Sequence, residues 1–223
     1  MPRKPIERSN ENYYHITARS NNREYFYLQI SIVWEIITEK LAILQRQYQI
    51  KIAAFVLMNN HFHLMVLTPN EDIDRIMYFF MKDVTKEIQK RTGRINKIFG
   101  GRYKGSIITN YKYLMNVYKY IYRNPIEVGL SVNAEDYPYS TLYYKCRHLM
   151  KIPFELDDIH IFDSLKDYEN LDELIWINHR FEEMESKSIS LGLHKTIFQF
   201  IKDKNTHRPI EPVIRNPKKL GFP

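Results

Sequence analysis

Two apolar runs separated by only two asparagines constrain this chain more than any other feature. Lys51–Met58 (KIAAFVLM) and His61–Leu67 (HFHLMVL) are both of strand length. Asn59-Asn60 between them tolerates the positive φ of a tight turn. The pattern predicts a β-hairpin with buried strands.

The segments around the hairpin complete an alternation of strands and helices. Asn12–Arg19 (NYYHITAR) alternates and is rich in β-formers, and Ser20-Asn21-Asn22-Arg23 reads as a turn. Tyr27–Tyr48 carries Leu28, Ile32, Ile36, Leu41 and Leu44 with charges between them, the pattern of an amphipathic helix. After the hairpin, Thr68-Pro69-Asn70-Glu71 has the residues of a capped helix start, and that helix should run to about Arg91 with Gly93 ending it. Arg102–Thr109 reads as a further strand, and Tyr111–Arg123 as a helix that Pro125 should end. The order β-α-β-β-α-β followed by a helix predicts an α+β, ferredoxin-like fold: an antiparallel sheet with helices on one face.

From about residue 149 the character changes. Lys151–Asp172 is acidic and without clear period, Leu171–Glu185 and Leu193–Lys202 read as helical, and Thr206–Pro223 holds four prolines and should be extended or mobile. Residues 10–148 therefore form one expected domain, and 149–223 a small, mostly helical C-terminal extension.

Charge is distributed as unevenly as structure. Residues 1–150 hold 22 basic and 13 acidic side chains, whereas 151–223 hold 11 and 13. Between Arg75 and Arg123 there are 12 basic and only 2 acidic residues, a net of +10. Such an excess calls for counterions or a polyanion. The 17 tyrosines, many beside basic residues, can stack on unpaired bases and so favour nucleic acid over an acidic membrane. No apolar run approaches bilayer-spanning length, and the N-terminus MPRKPIERSN lacks the apolar core of a signal peptide. Cys146 is the single cysteine, which excludes an internal disulfide and fits a reducing, cytoplasmic setting.

His61 and His63 carry the first chemical signal. Residues two apart on a strand share a face. Two imidazoles about 6–7 Å apart along the strand can converge on one metal ion, with Phe62 turned to the opposite face. An apolar strand gains nothing from two imidazoles unless something satisfies their nitrogens. The second signal is Tyr120 and Asn124, four apart on one helix face. A phenol with an ordinary pKa near 10 attacks phosphorus only when a cation favours the phenolate or polarises the phosphate. A divalent ion held by His61, His63 and Asn124 would do so beside Tyr120, with Lys119 and Arg123 flanking the pair to hold a backbone. His15 reads as a hydrogen-bonded structural histidine. His148, His160, His179, His194 and His207 show no ligand spacing. Trp34 and Trp176 fall in helical patterns and read as core or interface residues.

The segment His61-Phe62-His63 resembles the His-hydrophobic-His signature of the HUH endonucleases. Tyr120-Ile121-Tyr122-Arg123-Asn124-Pro125, followed by Gly129-Leu130, resembles the tyrosine helix of the single-tyrosine transposases, and more narrowly of the REP-associated tyrosine transposases. Tyr14-His15-Ile16-Thr17-Ala18-Arg19 with Asn21-Asn22-Arg23, Gly101-Arg102-Tyr103-Lys104 and Asp136-Tyr137-Pro138-Tyr139-Ser140 are similar to further motifs of that family, in family order over residues 10–145. The resemblance implies a ferredoxin-like domain, Mg²⁺ or Mn²⁺ as cofactor, and nicking of single-stranded DNA next to a hairpin. It implies Tyr120 as nucleophile, a 5′-phosphotyrosyl link, a free 3′-OH, and resealing by a second 3′-OH. By position His61 and His63 are metal ligands and Asn124 is the third, where other single-tyrosine transposases carry a longer Gln.

Arg19, Arg23, Arg102 and Lys104 are expected phosphate contacts. A competing reading is a single-stranded nucleic-acid or hairpin binding module without cleavage, in which Tyr120 stacks on a base. A structural metal protein is disfavoured by the +10 segment. Homodimer and single chain both stay open at this stage.

Overall fold

A computed structural model describes residues 7–147, 151–159 and 173–212. Four strands, β1 (Tyr13–Arg19), β2 (Lys51–Leu57), β3 (His61–Leu67) and β4 (Lys104–Ile108), form one sheet in the order β2-β3-β1-β4. Every neighbouring pair is antiparallel. The helices α1 (Ile30–Tyr48) and α2 (Ile73–Thr92) connect the strands, and α3 (Tyr111–Glu127), α4 (Thr141–Cys146), α5 (Glu173–Asn178) and α6 (Glu183–Gly192) follow. The expected α+β, ferredoxin-like order is present, but helices cover both faces of the sheet and not one as expected, because the strands bury apolar side chains on both sides: α1 and α2 pack on one face and α3 on the other.

Alternation along the strands builds two cores. On β3, Phe62, Leu64 and Val66 face α1 and α2, where Val33, Ile36, Ile37, Leu41 and Leu44 of α1 meet Ile73, Ile76, Met77, Phe80 and Val84 of α2. The i, i+3, i+4 spacing on both helices makes this one apolar seam. The other face is covered by α3, whose Met115, Val117, Tyr118, Ile121 and Tyr122 pack with Ala53, Ala54 and Val56 of β2 and Met65 of β3. The extension joins this second core: Trp176, Ile177, Phe181, Ile189, Phe198 and Phe200 are all buried in it.

Both sheet edges are covered, which disposes of the unpaired backbone groups an open edge would expose. At β2, Leu57 N donates to Tyr139 O at 2.9 Å, Tyr137 Oη donates to Leu57 O at 2.9 Å, and Phe55 N donates to Thr141 Oγ1 at 2.9 Å. At β4, Ile107 N donates to Thr196 O and Phe198 N to Ile107 O, each at 2.8 Å.

Several element boundaries differ from expectation, for local reasons. Helix α1 starts at Ile30 rather than Tyr27. Tyr27 precedes it, with Arg94 stacked 3.6 Å over its ring. Thr68-Pro69-Asn70-Glu71 does not open α2. It closes a turn in which Glu71 N donates to Thr68 O and Glu71 has φ 56°, so the helix begins at Ile73. Gly93 ends α2 as predicted, with φ 69° at the C-cap.

Helix α3 runs through Pro125 to Glu127. Proline removes the N–H that would reach the Ile121 carbonyl. Asn124 Nδ2 instead lies 3.4 Å from that oxygen and 2.7 Å from Tyr120 O, so the side chain serves the carbonyls the ring leaves behind.

In the extension, the helix expected over Leu171–Glu185 breaks between α5 and α6, and Leu193–Lys202 is not helical. Phe198 and Phe200 sit two apart and both turn into the core, a strand-like period that overrides the helical pattern. Lys202 bridges Pro209 of the proline-rich tail in an antiparallel contact, and residues 213–223 of that tail lie outside the described residues. His148, His160 and most of Lys151–Asp172 also fall outside them. Among the described residues no helix is long and apolar enough to cross a membrane.

Phe62 holds the centre of the first core, with Phe55, Phe80 and Phe99 rings 5.5–6.2 Å from its own. Phe62→Ala should lower the unfolding free energy by about 3–5 kcal/mol. Tyr78→Ala, at a side chain 62% exposed, should change it by less than about 0.5 kcal/mol. Urea titration of the two variants against the parent checks both values.

Candidate active site

The pleat that sends Phe62 into the first core sends His61 and His63 to the α3 face. In the β1–β3 ladder His63 stands opposite Thr17 and His61 opposite Arg19. His15, two and four residues back on β1, shares their face. The His61 and His63 rings have centroids 5.0 Å apart. His15 Nε2 lies 2.8 Å from His63 Nδ1, and His61 Nδ1 lies 2.7 Å from Asn60 Oδ1.

Helix α3 brings its own residues onto this group. Asn110 caps it by accepting from Tyr113 N at 2.9 Å. Two turns later the Tyr120 ring meets the His63 ring edge-on, with centroids 6.0 Å apart. Tyr120 and Asn124 line one cleft of about 780 Å³ together with His15, His61 and His63. Four of the six predicted cationic residues, Arg19, Arg23, Arg102 and Lys104, line the same cleft.

Each of these cations has its own setting. Arg23 lies in a turn where Asn22 and Arg23 have φ 54° and 60°, and its carbonyl accepts from Asn60 Nδ2 at 2.8 Å. Gly100 closes against that turn: a Cβ there would meet Ser20 O at 3.2 Å, so a larger residue would push the loop away. Arg102 pairs with the Asp74 carboxylate, which also accepts from Tyr103 Oη at 2.9 Å.

Lys119 and Arg123 are not brought to the cleft. They are 5% and 3% exposed, beneath the extension. Arg123 donates to the carbonyls of Ile177 and Asn178 at the C-terminal end of α5, and to Glu127. Lys119 Nζ lies 4.5 Å from the Phe181 ring centroid and 5.3 Å from that of Trp176. Burial, with Arg123 close by, pushes its ammonium down to about 7. The basic pattern was visible in the sequence, but helical phase places these two on the side the extension covers.

The extension also supplies side chains to the cleft. Ser190, Leu193 and His194 line it, and Ser190, beside the Tyr120 phenol, opposes the rise that burial gives its pKa. No spacing or motif in the sequence announces this contact, because it joins residues 70 apart through tertiary packing.

Burial sets the protonation of the cluster. It pushes His15 down to about 3, with His61 adding repulsion, and His61 down to about 4, with Arg19 adding repulsion. His63 falls well below the ordinary imidazole value for the same reason, with His15, His61 and Arg19 contributing. All three are neutral at pH 7, the form that ligates metals. Burial raises the Tyr120 phenol, Glu127 adds to the rise, and Ser190 and Arg19 oppose it.

His63 Nε2 is buried and has no hydrogen-bond partner. Such an orphaned nitrogen, next to a second neutral imidazole and in the cleft that the Asn124 amide also lines, fits a divalent cation. Among the described residues no group of three or more His, Cys, Asp or Glu is placed to hold a metal, so the fit is to two imidazoles plus an amide oxygen.

Sheet, helix and cleft together define an α+β protein that presents a His-x-His strand and a tyrosine helix on one face of a ferredoxin-like sheet. The chain belongs to the IS200-like transposase family, whose model matches residues 8–124. Among solved structures it is similar to the REP-associated tyrosine transposase bound to a REP hairpin, with a TM-score of 0.55 and 22% identity over 70% of this chain and 93% of that one. At that identity the likeness is one of fold. A candidate transposase from Deinococcus radiodurans aligns with a TM-score of 0.37 and 11% identity, over 51% of this chain and 89% of that one, too weakly to carry an argument. No curated protein matches the chain.

The buried histidines make the fold acid-labile. Each has a folded pKa below its unfolded value of about 6.5, so between the two values the unfolded chain binds more protons. Stability is therefore complete above pH 6.5 and lost as pH falls toward 4, at up to about 1.4 kcal/mol per pH unit for each histidine. Urea midpoints measured in EDTA from pH 7.5 to 4.5 should hold level down to about pH 6.5 and fall below it. His15→Phe should make that fall shallower, and an equal slope would show that His15 does not stay neutral in the folded state.

Proposed function

We propose that this protein nicks and rejoins single-stranded DNA beside a hairpin, with Tyr120 forming a transient 5′-phosphotyrosyl link. The observation that carries the reading is the meeting of Tyr120 and Asn124 from α3 with His61 and His63 from β3 in one cleft edged by Arg19, Arg23, Arg102 and Lys104. The solved neighbour is bound to a REP hairpin, which supports a hairpin as the DNA partner here.

In the proposed reaction the cations at the cleft edge hold the phosphate backbone. Tyr120 Oη forms a bond to phosphorus and the bond from phosphorus to the 3′ oxygen breaks. The phenolic proton is taken up on the departing 3′-hydroxyl. A second 3′-hydroxyl reverses the exchange and frees Tyr120, with no external energy because the phosphotyrosyl bond keeps that of the phosphodiester. His61, His63 and Asn124 Oδ1 would hold Mg²⁺ or Mn²⁺, which supplies charge that polarises the scissile phosphate. Asn124 is held for this by its Nδ2 bond to Tyr120 O, which leaves Oδ1 as the coordinating atom. Ser190 and Arg19 favour the phenolate against the burial that opposes it. All these groups come from one chain, so the proposed reaction needs no second copy.

One observation favours a second reading. The raised Tyr120 phenol is a poor nucleophile as it stands, which suits a hairpin-binding protein that does not cut. A covalent-adduct gel separates the two. With Mn²⁺ and a single-stranded hairpin oligonucleotide, the native protein should form a denaturant-resistant adduct. Tyr120→Phe should form none while binding the hairpin nearly as well, and His61→Ala should lose both the adduct and Mn²⁺ binding. An adduct from the Phe variant would mean another nucleophile, and no adduct from the native protein on any hairpin would leave the binding reading. Separately, Arg23→Ala should weaken binding to all sequences alike and reduce the slope of log K against log salt by about 0.7, read by fluorescence anisotropy.

A further inference from the structure

The ring nitrogens of His61 and His63 that face away from the proposed metal are both occupied, and by different means. His61 Nδ1 meets Asn60 Oδ1 at 2.7 Å. His63 Nδ1 meets His15 Nε2 at 2.8 Å. We propose that Asn60 and His15 are positioning residues that hold His61 and His63 as their Nδ1-protonated tautomers, leaving both Nε2 lone pairs free to coordinate. The inference rests on the metal reading of His61 and His63 and adds what makes them competent for it.

For His61 the assignment follows from a third residue. Asn60 Nδ2 donates to the Arg23 carbonyl at 2.8 Å. A carbonyl only accepts, so the amide nitrogen must lie on that side and the amide oxygen must face His61. An amide oxygen also only accepts, so His61 Nδ1 carries the proton and Nε2 does not.

For His63 the argument is one of burial. Its Nε2 is buried without a partner. Were His15 the donor, His63 would carry its proton on Nε2, as a buried N–H with no acceptor. A lone pair at that place can be satisfied by a cation, and an N–H cannot. His63 Nδ1 therefore donates and His15 Nε2 accepts. Partners of this kind fix ring orientation and strengthen the ligand.

Asn60 has a second consequence. One side chain ties a proposed ligand, His61, to the backbone of the turn that carries Arg23. That turn holds two successive non-glycine residues at positive φ, a costly conformation that Asn60 and the approach of Gly100 help to maintain.

The test uses the full chain labelled with ¹⁵N, free of metal in EDTA at pH 7.5, and long-range ¹H–¹⁵N correlation of the imidazoles. Both His61 and His63 should show a protonated-type shift at Nδ1 and a lone-pair-type shift at Nε2. Asn60→Ala should scramble the pattern of His61 alone, and His15→Phe that of His63 alone. Calorimetric titration with Mn²⁺ should show affinity falling about 10–100-fold in Asn60→Ala. Asn60→Asp keeps the acceptor but cannot donate to Arg23, so it should restore the His61 pattern and most of the affinity. If Asn60→Ala fails to fold, the Asp variant and the native spectrum carry the test. A native His61 or His63 protonated on Nε2 overturns the proposal, as does an Asn60→Ala variant with unchanged tautomer and affinity. Correct tautomers in a native protein that binds no Mn²⁺ uphold the tautomer assignment and overturn the metal reading instead.

Discussion

The antiparallel pairing of β3 with β1 decides where every side chain of the cleft points. Thr17 stands opposite His63 and Arg19 opposite His61. A slip of one residue would turn both imidazoles under α1 and α2 and lift Phe62 out of its aromatic nest. Two neutral rings would then sit in an apolar core without partners, and a fully buried phenylalanine would face the cleft. The register is thus held by hydrophobic packing on one face and read out as chemistry on the other. The cleft inherits its precision from the rings around Phe62, none of which touches it.

The second core shows how charge is divided between folding and binding. The basic stretch from Arg75 to Arg123 looks uniform in sequence, but its members end in different environments. Arg102 stays at the cleft beside Asp74, whereas Lys119 and Arg123 are withdrawn to anchor the extension. Burying a guanidinium is costly unless its donors are met. Arg123 meets them with two carbonyls at the end of α5 and with Glu127, and the helix end gains a cation where its dipole favours one. Lys119 is buried against aromatic faces, and that burial, with Arg123 close by and Glu185 opposing, lowers its ammonium to about 7. The acidic extension is therefore bound to α3, the helix that carries Tyr120, and shares its core.

What the sequence revealed and what it hid follow from the range of the forces involved. Period-two and period-3.6 patterns are local, so the strand order, the shared face of His61 and His63, and the shared face of Tyr120 and Asn124 were all readable. Helix boundaries were less so, because they turn on single bonds: Glu71 in a left-handed turn delays α2, and the Asn124 amide lets α3 continue through Pro125. The segment Leu193–Lys202 misleads because Leu193, Ile197 and Ile201 recur at helical spacing, whereas Phe198 and Phe200, two apart, fit the strand period that the edge of β4 imposes. Ser190 and the burial of Lys119 had no local signature at all. They are consequences of how the extension folds back, and nothing in the spacing of residues 173–212 encodes that direction.

The cleft sets two demands on Tyr120 against each other. Packing against His63 and under α6 positions the phenol, and the same burial raises its pKa and so disfavours the phenolate. Water could relieve this, but water would also compete as a nucleophile and hydrolyse a phosphotyrosyl link. In the proposed reaction the relief comes from the substrate phosphate and the cation that the imidazole pair would hold, beside Arg19. A phenol left unreactive until a polarised phosphate arrives protects the empty protein from side reactions. In the proposed reaction the burial by α6 would belong to the chemistry as much as to the fold, with Ser190 of the extension opposing the rise in the Tyr120 pKa.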